Sequence, residues 1–72
     1  MTTIELKAQS IYPEISRSEQ LAADYFIKNK EDIFKYPLAA LAERSGTSQG
    51  AWVRFCKSMG YDGLKGLKKA LF

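Results

Sequence analysis

The segment Leu38–Phe55 (Leu-Ala-Ala-Leu-Ala-Glu-Arg-Ser-Gly-Thr-Ser-Gln-Gly-Ala-Trp-Val-Arg-Phe) constrains this chain more than any other. Its apolar residues fall at helical spacing on both sides of Gly46, which predicts two short helices joined by a tight turn. Gly46 stands where the first helix must stop, because a left-handed backbone costs glycine almost nothing. Ser48 offers a hydroxyl to the unpaired N–H groups that open the second helix. Leu41 and Ala42 give the first helix an apolar inner face, and Ala42 is small enough for close approach. Trp52, Phe55 and Met59 recur at intervals of three and four, so they share one buried stripe with Cys56. Gln49, Gly50, Val53, Arg54 and Lys57 are left facing outward. This is the pattern of a helix-turn-helix, whose second helix lies in the DNA major groove. A plain helical hairpin burying the same residues is the alternative.

Seventy-two residues suffice for one domain, 1–72, and no more. So small a chain needs several aromatics to fill a core, and it has four Phe, four Tyr and one Trp. The charge is unevenly placed. Residues 1–53 hold six Lys/Arg against seven Asp/Glu, a balance of −1, whereas 54–72 hold five against Asp62 alone, a balance of +4. A basic end that begins inside the second helix favours a polyanionic partner; an ordinary solvated lysine face is the competing explanation.

Chemistry is poorly provided for. With no histidine, no glycine-rich phosphate loop and no nucleophile that spacing pairs with a base, an enzyme is not expected. A single cysteine, Cys56, precludes an internal disulfide and, with no histidine to help, makes a cysteine-based metal site implausible; no cofactor is expected. Its place on the apolar side of the helix predicts a small core residue rather than a redox sensor. There is no signal segment and no apolar run near the ~20 residues a membrane span requires, which points to the cytoplasm and away from membranes.

Outside the central segment, residues 4–12 predict a short helix that Pro13 ends. Ser16 and Glu19 form a capping-box pair opening a longer helix over 17–29, with Ala22, Ala23, Phe26 and Ile27 as its core face and Leu21 and Tyr25 beside them. Residues 31–35 read as one brief helical turn with Ile33 and Phe34 inward. Pro37 suits the first turn of the helix 38–44, and a second helix runs from Gln49 to about Ser58. Gly60 is a left-handed stop with Tyr61 folding back. Asp62 is placed to cap a last helix over 63–71, weakened by Gly63 and Gly66 at roughly 1 kcal/mol each. No strand alternation or repeat intervenes. The expected architecture is all-α, a compact five- or six-helix bundle with a homeodomain-like helix-turn-helix. The chain halts at Phe72 within a helical pattern, as an N-terminal piece of a longer protein would.

Several of these pieces together resemble the N-terminal domain of the RpiR family of bacterial transcription regulators. They are Ser18-Glu19, Ala23-Asp24-Tyr25, Leu41-Ala42, Gly46-Thr47-Ser48, Val53-Arg54-Phe55-Cys56-Lys57, Gly60-Tyr61-Asp62-Gly63 and Leu67-Lys68, in the family's order and spacing from about Ile15 to Leu71. The resemblance implies a DNA-binding head, normally followed by a sugar-isomerase-like domain that senses a phosphosugar. Such regulators act as repressors or activators of carbohydrate-metabolism genes, and as dimers or higher oligomers. Four positions depart from the family pattern: Thr47 for Val, Gly50 for Ala, Ala51 for Ser or Thr, and Trp52 for a small β-branched residue. Loss of a hydroxyl at Ala51 puts one candidate DNA contact in doubt, and Gly50 and Ala51 are smaller neighbours that can make room for the indole.

On this reading Gln49 faces adenine, Val53 a thymine methyl, and Arg54 a guanine or a phosphate. Arg54 can alternatively be spent in an ion pair, Asp62 being the nearest acidic residue in sequence, and Gln49 can be merely solvated. Ser48 both caps and approaches phosphate, while Gly63, Lys65 and Lys68 offer N–H groups and charge to the backbone, opposed by Asp62. The rival functions are a small helical protein-interaction module with a basic surface, and sequence-independent nucleic-acid binding.

Overall fold

Six α-helices and one 3₁₀ turn, with no strand among the described residues, make up the computed structural model, which describes residues 3–72. The helices are α1 (Thr3–Ile11), α2 (Arg17–Lys28), α3 (Asp32–Lys35), α4 (Leu38–Ser45), α5 (Gln49–Ser58) and α6 (Leu64–Leu71). Pro13 does not simply break the chain. The α-helical bonding stops at Ile11, and the proline opens the 3₁₀ turn Tyr12–Glu14, where its missing N–H costs nothing.

Local chemistry sets most of the boundaries. At the start of α2 the Glu19 N–H donates to Ser16 Oγ at 3.3 Å, and the Ser16 hydroxyl donates to Glu19 Oε1 at 2.6 Å. Helices α4 and α5 end in the same way. Gly46 has φ 76°, its N–H donates to the Glu43 carbonyl, and the Thr47 N–H reaches back to Ala42. Gly60 has φ 96°, its N–H donates to Lys57, and the Tyr61 N–H reaches back to Cys56. Each is the paired closure that a left-handed residue permits, and it satisfies carbonyls the helix would otherwise strand.

Helix α2 packs across both α4 and α5, and this three-helix arrangement is the heart of the molecule. Ala22, Ala23 and Phe26 from α2 meet Leu41 and Ala42 from α4 and Trp52, Phe55 and Cys56 from α5, all buried. The alanines keep the backbones close, and the aromatics fill the space between. Phe26 and Phe55 stand 5.9 Å apart between ring centres, and Trp52 meets Phe55 edge-on at 6.0 Å. Ala8, Ile33 and Leu67 close the core from α1, α3 and α6, with Leu64 and Leu71 packed beside Leu67.

Four expectations need correction. Phe34 does not point inward; it is 51% exposed, because Ile33 takes the single inward position that so short a helix provides. Asp62 makes no capping bond to α6, since Gly63 rather than Asp62 occupies the N-cap position. Gly63 therefore carries no helix-interior cost. Gly66 does lie in the helix, and a Cβ there would come within 3.2 Å of Tyr61 Cβ, so the glycine lets α6 approach the preceding loop. Pro37 is the N-cap residue of α4, one position before the helical turn.

Cys56 lies in the core as expected. Burial pushes its thiol from the ordinary 9.0 up to about 12, which leaves it protonated and unreactive at neutral pH. Thiol-specific labelling of the native protein at about pH 8 is therefore expected to proceed only as fast as global unfolding. Rapid labelling without denaturant would show an accessible thiolate instead.

Candidate nucleic-acid interface

Helix α5 is divided lengthwise into two chemically opposite faces. Ala51, Trp52, Phe55 and Cys56, with Met59 just beyond, are buried. Gln49, Gly50, Arg54, Lys57 and Ser58 are exposed, and Val53 is half-buried at the margin. Ser48, also exposed, accepts the Ala51 N–H at 3.0 Å and so fixes where the helix begins. The outward residues of the first turn of α5, Gln49 and Gly50, thus lie at the surface.

The inner face is tied in by more than apolar contact. The indole Nε1 of Trp52 donates to Ser45 Oγ at 2.9 Å, and that hydroxyl in turn donates to the Leu41 carbonyl at 2.7 Å. Tyr25 meets the other side of the indole edge-on at 6.2 Å. Trp52 consequently links α5 to α4 through a polar bond and to α2 through an aromatic one. Two readings of this region change. Ala51 is fully buried, so its position serves the core and not a DNA contact. Gly50 is exposed and does not make room for the indole; a Cβ built there would lie 3.2 Å from a terminal nitrogen of Arg54.

Arg54 therefore folds back over the bare backbone of Gly50, one turn earlier, as helical side chains do. Its partner is not Asp62. Its Nε stands 3.9 Å from Oε1 of Glu19 on α2, while the side chain remains 58% exposed. Glu19 is far less accessible, at 12%, and its other oxygen accepts from the Ser58 hydroxyl at 3.5 Å. Thr47, in the turn, donates to the Ser18 carbonyl at 2.9 Å. The N-terminal end of α2 is thus fastened to both ends of α5. Glu19 is the residue that reading the sequence missed as part of this surface: its capping role is written locally, but its second role depends on how α2 and α5 pack.

The second group of expected contacts lies on the neighbouring helix. Gly63 and Lys68 are half-buried and Lys65 is exposed, at the start and middle of α6, which packs against α5. Asp62 is exposed beside them. The first helix of the motif also carries a cation, Arg44, but it is engaged. Its guanidinium lies 4.3 Å from the centre of the Tyr36 ring, and its Nε donates to the Tyr25 hydroxyl at 2.9 Å. That hydroxyl donates to Asp32, whose carboxylate holds the Tyr25 proton on and raises its pKa above 10.0. No metal-binding cluster and no helix long and apolar enough to cross a membrane occurs among the described residues.

Known proteins share both the motif and its setting. The family described as the helix-turn-helix domain of the rpiR family matches residues 2–72. The HTH-type transcriptional regulator HexR of Pseudomonas aeruginosa is 32% identical over 60 residues, which are 83% of this chain and 21% of HexR. The NanR protein of Vibrio vulnificus, solved in complex with ManNAc-6P, superposes on 96% of this chain with a TM-score of 0.87 and 29% identity. The crystal structure of the N-terminal domain of ybbH from Bacillus subtilis covers the same share at 0.84 and 26%. This chain spans 26% of NanR and 84% of the ybbH domain. The fold, the outward basic face of α5 and the whole-length match agree: the chain belongs to the RpiR family of transcription regulators and is its DNA-binding helix-turn-helix domain.

Proposed function

We propose that α5 enters the major groove of double-stranded DNA and reads sequence from its first turn, while α6 holds the flanking backbone. The observation that carries this is the clear exposure of Gln49, Gly50, Arg54 and Lys57 on a helix whose opposite face is wholly buried. Gln49, at the helix start, reaches a base edge, where its amide matches adenine. Val53 lies against a thymine methyl. Arg54 and Lys57 contact phosphate or, for Arg54, guanine, and Ser48 approaches the backbone from the turn. Gly63, Lys65 and Lys68 bind the adjacent phosphates, with Asp62 limiting how closely an anion settles there.

In the complete regulator this head works as part of a homo-oligomer, most simply a dimer on two half-sites. A C-terminal domain senses a phosphosugar, the class of ligand seen with NanR, and the controlled genes serve carbohydrate metabolism. The setting is the cytoplasm.

Selection of duplexes from a random pool, followed by fluorescence-anisotropy titration of the selected and a scrambled duplex, tests the reading. A tandem fusion of two heads belongs in the same series, because linkage raises the effective concentration of the second. Arg54→Ala and Lys57→Ala are each expected to weaken binding to both duplexes by about fivefold or more, whereas Gln49→Ala mainly narrows the gap between them. Equal loss on every duplex for Gln49→Ala removes it as a base reader. No binding even by the tandem form points to a protein-interaction module.

A further inference from the structure

We propose that Glu19 is the positioning residue for Arg54, holding the guanidinium in one place on the DNA-facing surface so that it fixes the register of the head on its site. The inference rests on the DNA-binding reading of α5 above. Glu19 belongs to α2, outside the helix-turn-helix, and nothing about a carboxylate there favours contact with a polyanion.

Three groups surround that carboxylate. The Ser16 hydroxyl holds Oε1 at 2.6 Å, the Ser58 hydroxyl reaches Oε2 at 3.5 Å, and Arg54 Nε faces Oε1 at 3.9 Å. One comes from the cap of α2, one from the last turn of α5 and one from its middle. With only 12% of its side chain accessible, Glu19 forms a fixed negative point beneath a cation that is 58% accessible. The other end of Arg54 is guided by an absence: Gly50 has no Cβ, so a terminal guanidinium nitrogen can lie where one would crowd it at 3.2 Å. Carboxylate on one side and bare helix backbone on the other define a slot for the side chain.

Stability does not explain such an arrangement, because an ion pair this open contributes little to folding. Its consequence appears on binding. An arginine free to swing finds a phosphate on any duplex, which favours indiscriminate affinity. An arginine biased toward one slot favours the partner that its position allows, and it keeps this advantage whether that partner is a guanine edge or a phosphate. Phosphate contacts fix register just as base contacts fix sequence. The half-buried negative charge also repels a misplaced backbone, a repulsive element of the kind specificity often uses.

The test is Glu19→Gln, which preserves the shape and the capping bonds, since glutamine serves equally in a capping box. Selected and scrambled duplexes are titrated with wild type, Glu19→Gln, Arg54→Ala and the double variant, with thermal melts run alongside. We expect Glu19→Gln to bind the scrambled duplex more tightly and to lose about fivefold or more of its selected-to-scrambled ratio. In the Arg54→Ala background the same change should have no further effect on the ratio. An unchanged ratio in Glu19→Gln, when Arg54→Ala itself weakens binding, overturns the positioning role and leaves the DNA-binding face intact. An equal loss in both backgrounds overturns it too, because Glu19 would then act without Arg54. If Arg54→Ala changes neither affinity nor ratio, the arginine is not at the DNA and both readings fail at that residue. Should the glutamine variant melt too low to titrate, a conservative Arg54→Lys head supplies the comparison. It keeps the charge but loses the fork, and a ratio equal to wild type would reject the proposal.

Discussion

Trp52→Ala is expected to strip the domain of most of its stability, leaving up to about half the molecules unfolded at room temperature. The indole is the largest fully buried side chain of the domain, with none of its surface accessible. It stands edge-on to both Tyr25 and Phe55 and donates to Ser45. Truncation removes that volume from the point where α2, α4 and α5 meet, and a core tryptophan or phenylalanine cut to alanine costs about 3–5 kcal/mol. A domain of this size holds on the order of 5 kcal/mol in all, so the loss consumes nearly the whole margin. Trp52→Phe should be milder, about 1–2 kcal/mol, from the lost indole bond and a smaller void. Urea titration followed by far-ultraviolet circular dichroism measures both. A Trp52→Ala midpoint within error of wild type would mean that the three helices do not depend on one another through this ring.

Trp52 also marks the boundary between what the sequence makes legible and what it conceals. Its burial follows from periodicity, as do the two faces of α5, because residues at three- and four-residue intervals must share a side of a helix. The ends of α4 and α5 are equally local, since a glycine that adopts a positive φ and a serine that caps act on neighbours within a few bonds. What compensates the indole is not local. Gly50 and Ala51 look like a matched repacking when read in a row, yet one faces solvent beneath Arg54 and only the other is buried. The ring's polar partner is Ser45, seven positions earlier on another helix. The exposure of Phe34 is illegible in the sequence for a related reason. In a helix of four residues two adjacent apolar side chains point about 100° apart, and only the neighbours decide which is covered. The Glu19–Arg54 approach is the extreme case, because Glu19 already has a sufficient local explanation as a cap.

Raising monovalent salt from about 50 to about 200 mM should weaken binding to duplex DNA by roughly 250- to 1,000-fold, the largest change foreseen for this head. Arg54, Lys57, Lys65, Lys68 and Lys69 crowd the last part of the chain against a single opposing residue, Asp62. If these cations and the N–H groups at the starts of α5 and α6 neutralise about four to six phosphates, counterion release gives a log–log slope of roughly −4 to −5. The slope reports charge and is blind to base identity, so it separates the two groups of residues. Lys65→Ala with Lys68→Ala should make the slope shallower by about two while leaving the selected-to-scrambled ratio nearly unchanged. Gln49→Ala should do the reverse. A shallow slope in the unmodified chain would mean that α6 does not face the backbone at all, and that the basic end is a solvated surface serving solubility alone. A slope unaffected by the two lysines but reduced by Lys57→Ala would instead confine the phosphate contacts to α5, with α6 merely bracing it from behind.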